Sequence, residues 1–104
     1  MTQKFGLSAA LTTPFKTDGT VDIDAMIAHA RRCLSNGCDS VTLFGTTGEG
    51  CSVGSRERQA ILSGFIAAGI APSRIVTGVL VDSIEDAADQ SAEALRAGAR
   101  NILL

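Results

Sequence analysis

The sequence predicts an α/β fold built on a parallel sheet, and three observations predict it. Short apolar or β-branched runs begin near residues 6, 40, 74 and 101, a spacing of about one βα unit each time. Between them lie segments whose apolar residues recur at helical spacing. The joints are short and rich in Gly, Asn, Asp and Pro, the chemistry of turns and helix ends. The order βαβαβαβ implies parallel strands joined by right-handed crossovers.

Each element has a local reason. Residues 6–12 read as a first strand, stopped at Thr13-Pro14 because proline has no N–H to give a ladder. Residues 16–20 are turn chemistry. Asp22 or one of its neighbours can cap a helix running to about residue 35, with Ile23, Met26, Ile27, Ala30, Cys33 and Leu34 on one stripe. Gly37 suits the stop, since a left-handed C′ position costs glycine little. Residues 40–44 form a second strand, followed by a glycine-rich loop over 45–54. A second helix runs from about Ser55 to Ala68, with Gly54 as N-cap and Glu57 near the positive helix end. Ala60, Ile61, Gly64, Phe65 and Ala68 line its expected inner face, Gly69 closes it, and Pro72 bars its continuation. Residues 74–80 are a third strand. Ser83 caps a third helix from Ile84 to about Ala97, with Glu85 and Asp86 in its first turn. Gly98 ends that helix, and residues 101–104 read as a fourth strand.

Periodicity leaves two architectures open, an open doubly wound sheet and the first part of a (β/α)8 barrel. An open-sheet domain rarely stops four residues into a buried strand. The expectation is therefore a single partial domain, residues 1–104, truncated within strand four of a barrel that needs about 250 residues.

Composition excludes several functions. The net charge is −2, so no basic patch points to nucleic acid. Four Phe with no Trp or Tyr make a stacking platform for bases or sugars a poor reading. The N-terminus has no apolar run with a cleavage site, and nothing approaches the roughly 20 apolar residues of a membrane span. An odd count of three cysteines, Cys33, Cys38 and Cys51, fits reduced thiols in a cytoplasmic protein. The single histidine, His29, shares a helical face with Cys33, but four good metal ligands do not converge. The cysteines are read instead as small buried residues. No metal and no cofactor is assigned.

The segment Gly45-Thr46-Thr47-Gly48-Glu49-Gly50 directly follows the second strand. Ligands of parallel α/β folds bind at the C-terminal ends of strands. Glycines let the backbone approach a ligand, and successive N–H groups in such a turn can form a nest for an anion. Two threonine hydroxyls add polar contacts and a proton relay. The physics supports a site for a small carboxylate or phosphate and, equally, a plain tight turn. A Walker A loop needs Lys-Ser/Thr after its last glycine, whereas Cys51-Ser52 stands here. The dinucleotide fingerprint G-x-G-x-x-G is not matched by G-x-x-G-x-G.

At these residues the chain resembles the dihydrodipicolinate synthase and N-acetylneuraminate lyase family. Gly45-Thr46-Thr47-Gly48-Glu49 looks like its signature for the carboxylate of pyruvate or another 2-keto acid. Ala9-Ala10-Leu11-Thr12-Thr13-Pro14-Phe15 is similar to its "TP" turn. Further similarities are Val21-Asp22-Ile23-Asp24, Asn36-Gly37, Arg56-Glu57-Arg58 and Ala97-Gly98-Ala99, all in register along the chain. The resemblance implies the N-terminal part of a (β/α)8 barrel and a class I aldolase-type lyase or synthase. Thr46 and Thr47 would bind the substrate carboxylate through amides and hydroxyls. Thr46 would also match the threonine of the family's proton relay, and Gly45 and Gly48 would permit the turn. Glu49 would brace the loop, and Thr13 and Pro14 would shape the barrel mouth. The intact protein would be a homo-oligomer, a tetramer or dimer.

The family forms a Schiff base between a lysine and the keto group of its substrate. That lysine lies on a later strand, whereas the only lysines here are Lys4 and Lys16, both expected in solvent. The relay tyrosines have no counterpart, since the chain has no Tyr. The isolated chain is therefore expected to be inactive and, with two unpaired sheet edges, prone to associate. Gly78-Val79-Leu80-Val81-Asp82-Ser83 departs from the small, polar residues of dihydrodipicolinate synthases proper, which leaves the substrate open. Two other readings are a small α/β module that binds a keto acid without catalysis, and an open-sheet regulatory domain. A reading frame continuing past Leu104 to a later strand with a lysine separates the enzyme from both.

Overall fold

A computed structural model describes residues 6–103. Four strands, β1 (Ser8–Ala10), β2 (Ser40–Leu43), β3 (Ile75–Gly78) and β4 (Asn101–Leu103), alternate with three helices, α1 (Ile23–Ser35), α2 (Ser55–Ala67) and α3 (Ile84–Arg96). Single 3₁₀ turns occupy Gly50–Ser52 and Pro72–Arg74. All pairings are parallel, with Ser8 beside Ser40, Val41 beside Ile75 and Val76 beside Asn101. The strand order is β1-β2-β3-β4. A doubly wound sheet reverses direction at a switch point; this sheet does not, and its order is that of a barrel arc.

Sequence chemistry accounts for the boundaries. The Asp22 carboxylate accepts from the Ala25 amide at 3.1 Å and the Ser83 hydroxyl from the Asp86 amide at 3.0 Å. Each such cap contributes about 1 kcal/mol. Gly37, Gly69 and Gly98 end their helices at φ values of 111°, 91° and 107°. Pro72 opens its 3₁₀ turn, where a missing N–H is harmless. The turn over residues 16–20 is closed by an antiparallel bridge between Phe15 and Val21.

The core lies between sheet and helices. Val41, Leu43 and Ile75 point toward Met26 and Ala30 of α1, Ile61, Leu62 and Phe65 of α2, and Ala94 of α3. Burying each large side chain stabilises the fold by roughly 1.5–3 kcal/mol. Because strand side chains alternate, Ser8, Ser40, Thr42, Val76 and Gly78 share the opposite face. There the Ser8 and Thr42 hydroxyls meet at 2.7 Å.

Several details differ from the sequence reading. β1 spans only residues 8–10 and β3 stops at Gly78, two residues before the expected end. On α2, Ala60 is exposed, while Arg58 and Leu62 are buried. Cys33 and Cys38 are half-buried, Cys33 packing on the core, whereas Cys51 is exposed and departs from the buried reading. Leu104 and Lys4 lie outside the described residues.

Candidate functional site

The loop after β2 starts with an unusual backbone. By alternation, Phe44 belongs with Ser40 and Thr42 on the face away from the helices. Its φ is +63°, however, and its ring turns into the apolar core, fully buried. A left-handed backbone costs a bulky residue about 1–2 kcal/mol and persists only where surrounding contacts enforce it. Glycines make the room. A Cβ on Gly50 would fall 2.0 Å from the Phe44 carbonyl oxygen, and one on Gly78 2.7 Å from the same atom.

Two backbone bonds shape the turn that follows. The Glu49 amide donates to the Thr46 carbonyl at 3.1 Å, and the Gly50 amide donates to the Gly45 carbonyl at 3.0 Å. Glu49 is itself left-handed, at φ +54°. It supports the turn through its backbone, and its carboxylate makes no hydrogen bond or ion pair among the described residues. Gly48 is buried against β1's exit: an added Cβ would lie 2.6 Å from the Leu11 carbonyl oxygen. The buried Thr13 hydroxyl donates to the Gly48 carbonyl at 2.5 Å. The Pro14 carbonyl accepts from the Asp22 amide at 2.8 Å, which ties the same exit to the start of α1. Gly45 has neither a positive φ nor a neighbour within 4 Å of an added Cβ.

Inside these turns, the amides of Thr46, Thr47 and Gly48 have no partner among the described residues. Thr46 and Thr47 are exposed, and their hydroxyls are likewise unengaged among those residues. A cavity of about 180 Å³ lies at the C-terminal ends of β2, β3 and β4, lined by Phe44, Gly45, Thr46, Gly78, Val79, Leu80 and Leu103. No side chain of that lining is charged, and Thr46 brings its one hydroxyl.

A larger groove of about 430 Å³ lies at the other end of the sheet, between the ends of α1 and α2 and the start of β3. Its two arginines are engaged, Arg31 with the Ala68 carbonyl and Arg74 with those of Cys38 and Asp39. Ligands of parallel α/β folds bind at the opposite end.

Arg58, on the first turn of α2, is a residue that the sequence reading matched to a motif without giving it a role. It is only 6% exposed. Its guanidinium carbon sits 4.3 Å from the Phe44 ring centroid, and its Nη2 donates to the Gly78 carbonyl at 2.6 Å. Burial pushes its pKa down, against the opposing pull of Glu93 and then Cys51. Beside it, the Glu57 carboxylate accepts from the Val21 amide at 3.1 Å. Lys16 is exposed and lies in the turn. Among the described residues, no group of three or more His, Cys, Asp or Glu is placed to hold a metal, and no helix is long and apolar enough to cross a membrane.

A parallel sheet in barrel order, with a polar turn at the C-terminal ends of its strands, defines the chain as part of a (β/α)8-barrel protein. Over residues 3–104 it matches the Dihydrodipicolinate synthetase family and belongs to that family. It is 33% identical to a 4-hydroxy-tetrahydrodipicolinate synthase of Dehalococcoides mccartyi, over 94% of this chain and 33% of that one. A crystal structure of dihydrodipicolinate synthase from Agrobacterium tumefaciens is 98% identical over 97% of this chain and 35% of that chain, with a TM-score of 0.90. The dihydrodipicolinate synthase of Aquifex aeolicus is 29% identical over 95% of this chain and 33% of its own, with a TM-score of 0.81. The chain thus spans about a third of the length of such relatives.

Proposed function

We propose that the chain supplies the substrate-carboxylate site of a pyruvate- or 2-keto-acid-dependent lyase or synthase of aldolase type. The observation that carries this is the trio of amides at Thr46, Thr47 and Gly48 that have no partner among the described residues, beside two hydroxyls likewise unengaged among them, at the C-terminal ends of the strands. The keto acid's carboxylate accepts from these amides and from the Thr46 and Thr47 hydroxyls. Thr46, which also lines the cavity, passes the proton that the carbonyl chemistry releases and consumes. Gly45 and Gly48 form the turn; Thr13, Pro14 and the Glu49 backbone support it.

The electrophile is a Schiff base between a lysine and the keto carbon, whose protonated nitrogen draws electrons from the bond being made or broken. Exposed Lys16 is not placed for this role, and the proposal puts the lysine outside the present sequence. The 104-residue chain then binds keto acid without turning it over. Charge-assisted hydrogen bonds contribute roughly 1.5–3 kcal/mol each, but association costs about 4 kcal/mol or more, so binding in the millimolar range is expected. The intact protein is read as a cytoplasmic homo-oligomer, a tetramer or dimer.

Borohydride trapping with pyruvate, read by intact mass, tests the proposal on this chain and on a longer product of its gene. A pyruvate-sized adduct on the longer product alone is the expected result. An adduct on the 104-residue chain would place the reactive lysine at position 4 or 16. No adduct on either would overturn the lyase reading.

A further inference from the structure

We propose that Arg58 is a positioning residue for the keto-acid loop, holding its entry at Phe44 and the facing strand end at Gly78 in a fixed relation. The inference rests on the reading of residues 45–48 as the carboxylate site. One guanidinium makes both contacts: it lies 4.3 Å from the Phe44 ring centroid and donates to the Gly78 carbonyl at 2.6 Å. Phe44 immediately precedes the turn, and Gly78 ends the neighbouring strand. Phe44, Gly45 and Thr46 form one wall of the 180 Å³ cavity, and Gly78, Val79 and Leu80 form the other. Arg58 reaches both walls from the helix layer behind them.

The chemistry of Arg58 argues against mere core filling. A buried cation is usually paired with a carboxylate, and well-packed apolar residues often serve stability as well or better. Arg58 has no ion pair among the described residues, and its Nη1 is buried without a partner. A methionine of similar length would fill the same space with no polar group left unpaired. What a methionine lacks is the pair of directional contacts, a planar cation over a ring and an N–H aimed at a strand-end carbonyl. Those contacts act where the backbone is least able to hold itself. Phe44 is left-handed at φ +63°, with its carbonyl wedged between Gly50 and Gly78. If the ring is released, Phe44 is free to return to an extended backbone. Gly45 and the amides after it then turn away from the cavity.

The test compares wild type with Arg58→Met and Arg58→Lys in the full chain, by amide correlation spectra without ligand, pyruvate titration and thermal unfolding. In Arg58→Met, the amides of Gly45, Thr46, Gly48 and Val79 are expected to move while those of α1 and α3 stay in place. Pyruvate affinity is expected to fall about tenfold, with part of it restored in Arg58→Lys. A merely structural role would lower the melting temperature without a shift centred on the two cavity walls. Loop amides that stay in place, or wild-type affinity in a variant whose amides have moved, would overturn the proposal. If Arg58→Met does not fold, Arg58→Lys decides by the same amides, because it keeps the charge and loses the planar contact. If wild type itself fails to bind pyruvate, the carboxylate reading falls, and the ligand-free spectra still decide whether Arg58 sets the loop.

Discussion

Replacing Gly48 with alanine separates a demanding glycine of the loop from a permissive one. The new Cβ would meet the Leu11 carbonyl oxygen at 2.6 Å, and the Phe44 amide nitrogen and Thr13 hydroxyl at 3.4 Å. The closest of these is a backbone atom, held in register because the Leu11 amide donates to the Thr42 carbonyl at 3.0 Å. To reach an ordinary contact, the turn and the exit of β1 must part by roughly 0.8 Å, and overpacking of this kind costs about 1–3 kcal/mol. The backbone cannot swing aside as a side chain does, so the upper half of that range, about 2 kcal/mol or more, is expected. In a domain of this size, that lowers Tm by roughly 10 °C. Gly45→Ala is the control: its Cβ enters open space at a φ that any residue adopts, so Tm should not change. Differential scanning calorimetry of the two variants and wild type is the assay. Equal Tm values for Gly48→Ala and wild type, or a larger loss for Gly45→Ala, would refute the geometry assigned to the turn.

Thr13→Val keeps the shape of the side chain and removes the donor to the Gly48 carbonyl, leaving that acceptor unpaired beside the core. A loss of about 1–3 kcal/mol is expected by denaturant unfolding, with Thr13→Ser close to wild type. The Asp18 carboxyl is held below the usual carboxylate range, chiefly by the Thr20 hydroxyl and next by the Thr20 amide. A group depressed in this way supports the turn above its unfolded pKa, and the support is lost as pH falls through its folded pKa. A carbon-detected titration should place its midpoint below that of an unstructured peptide, and Thr20→Val should move the midpoint upward.

Much of this architecture is legible in the sequence because local chemistry and tertiary structure agree. Asp22 and Ser83 cap their helices, Gly37, Gly69 and Gly98 end theirs, and Met26 and Ala30 are buried on the expected stripe of α1. α2 is where they disagree. The apolar spacing put Ala60 inward and passed over Arg58 and Leu62. Arg58 is buried because a π face and a strand-end carbonyl from elsewhere in the chain replace part of its water, and neither is visible in local periodicity. The left-handed Phe44 is equally silent, since a bulky aromatic after a β-branched strand reads as one more strand residue. The flanking glycines carried the only signal: Gly48, Gly50 and Gly78 lack Cβ atoms where one would strike backbone. The motif located the loop, but which of its glycines are sterically required is a property of contacts across 34 and 37 positions of sequence, between Phe44 and Gly78 and between Gly48 and Leu11. At Glu49 the contact made to the loop is a backbone one, its amide donating to the Thr46 carbonyl, which the residue type does not announce.

The central claim is that residues 45–48 hold a keto acid by its carboxylate, and titrating the chain with pyruvate while following its backbone amides tests this most directly. The account predicts saturable shifts led by Thr46, Thr47 and Gly48, absent from α1 and α3 and weakened in Thr47→Val. Shifts led by other residues, or none at pyruvate concentrations well above the millimolar range, would contradict it.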